Sequence, residues 1–542
     1  MGLFVILCRR VPLVNRRLRR LTGGLLSALI IISVYQNCSS GFSTQVVPGN
    51  SSLVGPTVSG NGHFIELNPY KASGNPSLPF STDFTPYLTK AKINNLLATA
   101  SGLSNGRLVI DRDGAFPGSI AKSSEDLVFS ANDPKFQQVN TYYHIDKFLS
   151  ELAQQGTGPT TAPLVRIDTH CKGADANNNA YFEPSTMTIC LGSATVNGTV
   201  VWASNDADVS VHEFGHTINH SLSSTDILDS SLSLSTLDEG LSDVWAYLSN
   251  LNPHIASWYG QAMMQAMGKP TTEFRGLRDL TTIPSFPDYL YGLWHDDSIG
   301  ISTVFFELHK NHNAPASNLR KLASRVLSDL QAGDTFAEVV RYMIQESTAA
   351  GIDSNLVQAA FTARGLYRKD SLTTLTVPAT NGVIIIDNHY FDPGTFSQQG
   401  NCNGKLDVGE TALVVINLAN SATTSIGTVR AQLSEAPLSP GVSIQPGSDE
   451  ATYLRFNASR RFVESLVPAS VDTTTHRLNT YLAGFFVSAT TAGTYTFNLR
   501  LTAFNSMDTT PVTKTVPVSI TVGSVAPLKA LCPGNGEESV WP

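Results

Sequence analysis

The stretch Val211-His212-Glu213-Phe214-Gly215-His216 decides how this chain is read, because it places two histidines four residues apart around a glutamate. On a helix over 206–220, residues i and i+4 lie on one face, so His212 and His216 point the same way. That is the geometry two imidazoles need to share a metal ion. Glu213 sits about 100° further round the helix, where it can reach a water at that metal without being a ligand. Val211, Phe214 and Ile218 form an apolar stripe that can face a core. H-E-x-x-H is a motif of zinc hydrolases. The plain alternative is a core helix that carries two histidines by chance, and the surrounding sequence has to decide.

At 542 residues the chain is too long for one core, and two or three domains are expected. A composition 42% hydrophobic and 15% charged is that of a globular, soluble protein. The formal charge is −8, yet residues 1–37 hold six arginines and no acid, so 30 basic residues face 44 acidic ones beyond them. A body this acidic is a poor match for nucleic acid, whose binding rests on neutralising phosphates. The arginine-rich start precedes an apolar run over 25–35 that is too short to span a bilayer and suits an export signal. Cys38 follows in Tyr35-Gln36-Asn37-Cys38-Ser39-Ser40, as at the end of a bacterial lipoprotein signal, although Gln36 and Asn37 replace the small residues usual there. A lipid anchor at Cys38 in the cell envelope, plain secretion and a retained anchor all stay open. A membrane is expected as a partner only through this N-terminus. Of the six cysteines, the four beyond the signal suit two disulfides in an oxidising compartment. Cys171 with Cys190 is the favoured pair, and Cys402 with Cys532 would tie down the tail.

Along the chain, residues 1–38 read as a signal peptide and 39–103 as a flexible leader or short pro-segment, with 39–80 rich in Ser, Gly, Asn and Pro. A unit over 104–367 follows. Leu108-Val109-Ile110 is a short strand, and Asn132-Asp133-Pro134 opens a helix to about 153. Val139, Tyr142, Ile145, Leu149 and Leu152 are spaced for its buried face. Strand-like pieces at 164–167 and 185–191 flank the polar loop 172–179. After the H-E-x-x-H helix, Ser235 can cap a second helix with Asp238 reaching back, which leaves Glu239 free. Helical periodicity continues over 301–308, 318–330, 336–349 and 355–363. Beyond 367, short β-rich runs separated by Gly, Pro, Asn and Ser describe a β-sandwich over 372–525, followed by a tail at 526–542. Pro517 falls on the polar side of its strand, which suggests an edge.

A catalytic zinc needs three protein ligands and an open position. Glu239, 23 residues past His216 on its own expected helix, is the candidate third ligand. Asp243 lies on the same helical face and can accept a hydrogen bond from a ligating histidine, fixing its tautomer. Without the neighbouring motif, both acids would read equally well as solvated surface charges.

H-E-F-G-H with Glu239-Gly240-Leu241-Ser242-Asp243 downstream resembles the thermolysin-like zinc peptidases (gluzincins) and is similar to the fungalysins. Asn178-Asn179-Ala180-Tyr181-Phe182 resembles the family's cleft-wall strand, where Asn179 and the Ala180 backbone would hold a substrate main chain. Gly276-Leu277-Arg278-Asp279 resembles the segment whose arginine fixes a substrate carbonyl. Asp288 with Leu293-Trp294-His295 resembles the Asp/His pair that precedes a long helix. Phe136–His144 looks like the family's early helix and Ala360–Leu366 like the end of its catalytic unit, so the likeness spans about 104–367. It implies an α+β unit, with a mixed β-sheet N-terminal lobe and a helical C-terminal lobe, ahead of the all-β sandwich. It also implies peptide-bond hydrolysis with one zinc ion on His212, His216 and Glu239, and Glu213 as general base. His295, oriented by Asp288, would donate to the developing oxyanion. His144 and His220 are expected to be structural. Protein or peptide substrates and a monomer follow from the same likeness.

The sequence also departs from the family. No tyrosine occurs over 217–238, where the family carries a second oxyanion donor, so His295 acts alone or Tyr289 or Tyr291 substitutes. Asp208 matches a calcium ligand, but 244–272 holds no acid to complete that site. Asn401-Cys402-Asn403-Gly404-Lys405-Leu406-Asp407-Val408-Gly409-Glu410 can be read as a calcium loop or as a tight turn. An exported zinc endopeptidase is the expected function. A zinc aminopeptidase and a non-catalytic surface adhesin that retains a metal site are the alternatives.

Overall fold

The computed structural model describes residues 55–525, apart from 101, 113–120, 124–125, 160–162, 224, 226, 228–231, 273, 287–293, 381, 387–402, 423–425, 436–439, 445–459, 467–479 and 504. The signal segment with Cys38, the tail with Cys532, and Asp288, Tyr289, Tyr291 and Cys402 lie outside the described residues.

The first described element corrects the reading of the leader. β1 (Thr57–Phe64) and β2 (Thr89–Leu97) pair as an antiparallel hairpin. Its composition is polar, but Gly62 marks close packing rather than flexibility. A Cβ there would stand 2.7 Å from Ile93 and 3.1 Å from Val139. The following turn is tied in as well: the Ile65 N–H donates to Asn140 Oδ1 at 2.9 Å, and Ile65 O lies 2.8 Å from His144 Nε2. His144 is therefore structural, and its burial pushes it down to about 4.

Asp133 accepts from the Lys135 N–H and Pro134 occupies the first turn, so a helix runs from Pro134 to Gln155, where Gly156 ends it in the left-handed region. Val139, Tyr142, Ile145, Leu149 and Leu152 are buried on a five-stranded mixed sheet. β3 (Leu103–Ser104), β4 (Leu108–Arg112), β5 (Val165–Asp168), β7 (Thr188–Leu191) and β6 (Ala180–Glu183) follow one another across it. The strand expected over 185–191 starts only at Thr188, because Pro184–Met187 turns the chain back antiparallel onto β6. β6 is an edge strand of this sheet. A disulfide joins Cys171 to Cys190.

Two long helices follow. The histidine helix (Ala207–Leu222) starts on Asp206, which accepts from the Asp208 N–H. The glutamate helix (Leu232–Asn250) packs directly against it. This helix begins before Ser235, so Ser235 is not its cap and the expected S-x-x-D box does not form. Two glycines set the approach. A Cβ on Gly215 would meet Ser242 Cα and Trp245 Cδ1 at 3.0 Å, and one on Gly240 would meet Ser298 O at 3.0 Å. Further helices at Ser257–Ala266, Trp294–Asp297, Ile299–Lys310, Ala316–Asp329, Phe336–Ser347 and Ser354–Ala363 share one core with the sheet, from Leu78 to Leu366.

A second core begins at Leu372 and lies between two five-stranded sheets. Gly493–Ala503 and Val512–Gly523 alternate as expected, with Phe497, Leu499, Leu501, Val518, Ile520 and Val522 buried. Pro517 pairs with Asn498 on one side of its strand, and no strand is paired with it on the other among the described residues. Asn505 and Ser506 clasp the linker to the first core: Asn505 Oδ1 accepts from the Asp370 N–H and Ser506 Oγ donates to Leu366 O.

Candidate metal centre

The close packing of the histidine and glutamate helices brings His212, His216 and Glu239 together, all buried, with one ligand-type atom from each within 4.8 Å of the others. His212 Nε2 lies 3.4 Å from Glu239 Oε2, and His216 Nε2 lies 3.7 Å from Oε1. The other ring nitrogens face carboxylates. His212 Nδ1 stands 2.9 Å from Asp243 Oδ1, off the straight line of a hydrogen bond. His216 Nδ1 donates to Asp238 Oδ2 at 2.6 Å. With Nδ1 carrying the proton in each ring, both Nε2 lone pairs are left to converge beside Glu239. This donor set fits a metal ion.

Asp238 does not cap the helix as the sequence suggests, and its partner is His216, one of the three grouped residues. Asn219 Nδ2 donates to Asp238 Oδ1 at 2.8 Å, and Trp245 Nε1 donates to Asn219 Oδ1 at 2.7 Å.

The opposite wall carries Arg278 and His295. Arg278, expected at a substrate carbonyl, spans two carboxylates: Nη2 is 2.7 Å from Glu239 Oε2 and Nε is 3.3 Å from Asp243 Oδ2. His295, on the Trp294–Asp297 turn, places Nε2 3.3 Å from Glu239 Oε1. Burial opposes the charge of Glu239, yet His295, His212, His216 and Arg278 together hold it well below the usual carboxylate range. Burial pushes His295 down to about 4, so it is neutral at pH 7. Glu213, 6% exposed, is raised by burial against the pull of the two histidines.

These groups line a cavity of about 30 Å³ with Ala180, Val209, Ile255, Tyr259 and Leu277. Its size suits an ion or a water. Asn179 is buried, and its carbonyl accepts from Tyr259 Oη at 3.0 Å and from the Gly192 N–H at 3.2 Å. Tyr259 thus holds the turn that leads into edge strand β6, a role no sequence spacing announces. His220 packs edge-on against Phe182 and is not one of the three grouped residues.

The two calcium readings meet amides. Asp208 Oδ1 and Oδ2 accept from Asn250 at 2.9 Å and Asn252 at 2.6 Å. In the C-terminal loop, Asn403 donates to Asp407 Oδ2 at 2.7 Å and Glu410 Oε2 accepts from the Asp407 N–H at 2.9 Å, the bonds of a tight turn. No helix among the described residues is long and apolar enough to cross a membrane. No protein-family model matches the chain, and no curated protein matches it at a significant level.

Proposed function

We propose that this protein is an exported, zinc-dependent endopeptidase of thermolysin-like type, with Glu213 as general base. The observation that carries the reading is the convergence of His212, His216 and Glu239 with Glu213 buried in the same cavity. Two imidazole nitrogens and a carboxylate suit a catalytic zinc with one position open. When bound, zinc polarises a scissile carbonyl and acidifies a water. Glu213, raised by burial, is the carboxylate placed to take a proton from that water and return it to the leaving amine. His295, neutral at pH 7, offers an N–H where charge develops on the carbonyl oxygen. An extended substrate would add to the free edge of β6, with Asn179, Ala180 and Arg278 as its contacts. Residues 1–38 would direct export, with Cys38 as a lipid attachment point.

The test is Glu213→Gln in purified protein, with bound zinc and casein hydrolysis both measured. Zinc should be retained while hydrolysis falls by roughly 10²–10⁴-fold. Unchanged hydrolysis would remove Glu213 from the mechanism. A blocked peptide should be cleaved as well as its free-amine form, since an endopeptidase needs no terminal amine.

A further inference from the structure

The hydrogen bonds behind His216 have a direction, and it is set at the far end. An indole N–H can only donate, so Trp245 Nε1 fixes Asn219 Oδ1 as an acceptor at 2.7 Å. That turns the Asn219 amide group toward the glutamate helix, where it donates to Asp238 Oδ1 at 2.8 Å and to Asp238 O at 3.0 Å. Ser242 Oγ accepts from the same amide at 3.2 Å and lies 3.1 Å from His216 Nδ1. Asp238 Oδ2 then accepts from His216 Nδ1 at 2.6 Å. Trp245 and Asn219 are fully buried and Asp238 is 1% exposed, so water does not complete the chain.

We propose that Trp245, through Asn219 and Asp238, dictates which nitrogen of His216 faces the metal, making all three positioning residues for metal binding. The proposal rests on the metal reading above. Only a carboxylate at 238 satisfies both ends, because it accepts from His216 on one oxygen and from Asn219 on the other. An asparagine there has two ways to settle. It can aim its NH₂ at His216, which forces the proton onto Nε2 and removes the lone pair that a metal needs. Alternatively it aims NH₂ at Asn219, which must turn over, giving up its bond to the residue-238 carbonyl and leaving the Trp245 indole facing another donor.

This predicts a rescue. Asp238→Asn should weaken zinc binding by roughly 10–100-fold, read by competition with a chromogenic chelator. Trp245→Phe alone should weaken it less, and combining it with Asp238→Asn should recover part of the loss, because the indole no longer opposes a turned Asn219, which then gives up only its bond to Asp238 O. The absorption bands of the cobalt-substituted protein should shift in Asp238→Asn and return in the double variant. Equal zinc affinity in Asp238→Asn and the unmutated protein, or a double variant as weak as the single, overturns the proposal. If Asp238→Asn does not fold, Asn219→Ala carries the same test: weaker zinc binding and altered cobalt bands are expected, and unchanged values overturn it. Failure of the unmutated protein to bind zinc is a different result, since it removes the metal reading and this proposal together.

Discussion

The histidine helix meets two groups of buried acids, one at its N-terminus and one at its centre, and they are treated in opposite ways. Asp206 and Asp208 are satisfied by neutral donors: Asp206 accepts from the Trp258 and Tyr259 N–H groups, and Asp208 from Asn250 and Asn252. Those bonds and the favourable helix end do not offset desolvation. Burial raises both carboxyls, Asp206 to about 6, with Asp206 adding to the rise at Asp208. Glu239 is equally buried but faces Arg278 and three imidazoles, and it stays ionised well below the usual range. A buried carboxylate keeps its charge beside a guanidinium, and amide donors alone are not enough.

The largest effect should come from breaking the Glu239–Arg278 pair. Glu239→Gln leaves Arg278 without its 2.7 Å partner in a buried setting and should cost roughly 3–5 kcal/mol in the metal-free protein. Chemical denaturation of the first core reads the stability, and metal analysis should find the zinc lost. A destabilisation below about 1 kcal/mol would mean that Asp243 alone suffices for Arg278 and that the comparison is overdrawn.

The amide-held pair predicts a pH dependence of opposite sign to that of an ordinary salt-bridged acid. The folded-state pKa of Asp206 is about 6, whereas an unfolded aspartate titrates near 3.9. Between those values the folded state binds more protons, so this contribution is fully present below about pH 4 and is lost as pH rises through about 6. Asp208→Asn removes one of the two groups that take up a proton. The fall in urea midpoint between pH 4 and pH 7 should therefore be shallower in the variant. Parallel pH profiles would show that the pair is not the source.

The contrast also marks what could be read in advance. His212, Glu213 and His216 follow from helical spacing alone, and Glu239 and Asp243 from one turn of the next helix, because local periodicity fixes which side chains share a face. Asp238 is one residue away and was misread. S-x-x-D is local capping chemistry, and nothing in the spacing says that a tertiary partner, His216, claims the carboxylate first. The β1–β2 hairpin was hidden for a related reason. Its glycines and serines carry the composition of a linker, whereas Gly62 is needed where Ile93 and Val139 press against the backbone. Asn250, Asn252 and Tyr259 carry no signal at all, since each acts only through a contact the fold creates.

The smallest expected effect concerns calcium, and it tests whether amides can stand in for an ion. Both oxygens of Asp208 are occupied by side-chain N–H donors at 2.6 and 2.9 Å, and a cation could reach them only if Asn250 and Asn252 turned over or swung away. Either movement leaves polar groups to be paired again in a buried setting. A site bound a hundredfold above its Kd would add about 2.7 kcal/mol to stability, a shift that thermal unfolding resolves easily. Calcium at about 1 mM should leave the unfolding temperature of the first core unchanged, because the energy of binding at Asp208 is already taken by the two amides. A calcium-induced rise that Asp208→Asn abolishes would show that the asparagines yield to the ion. A rise that survives the variant would belong elsewhere, with the Asp407–Glu410 turn as the place to look.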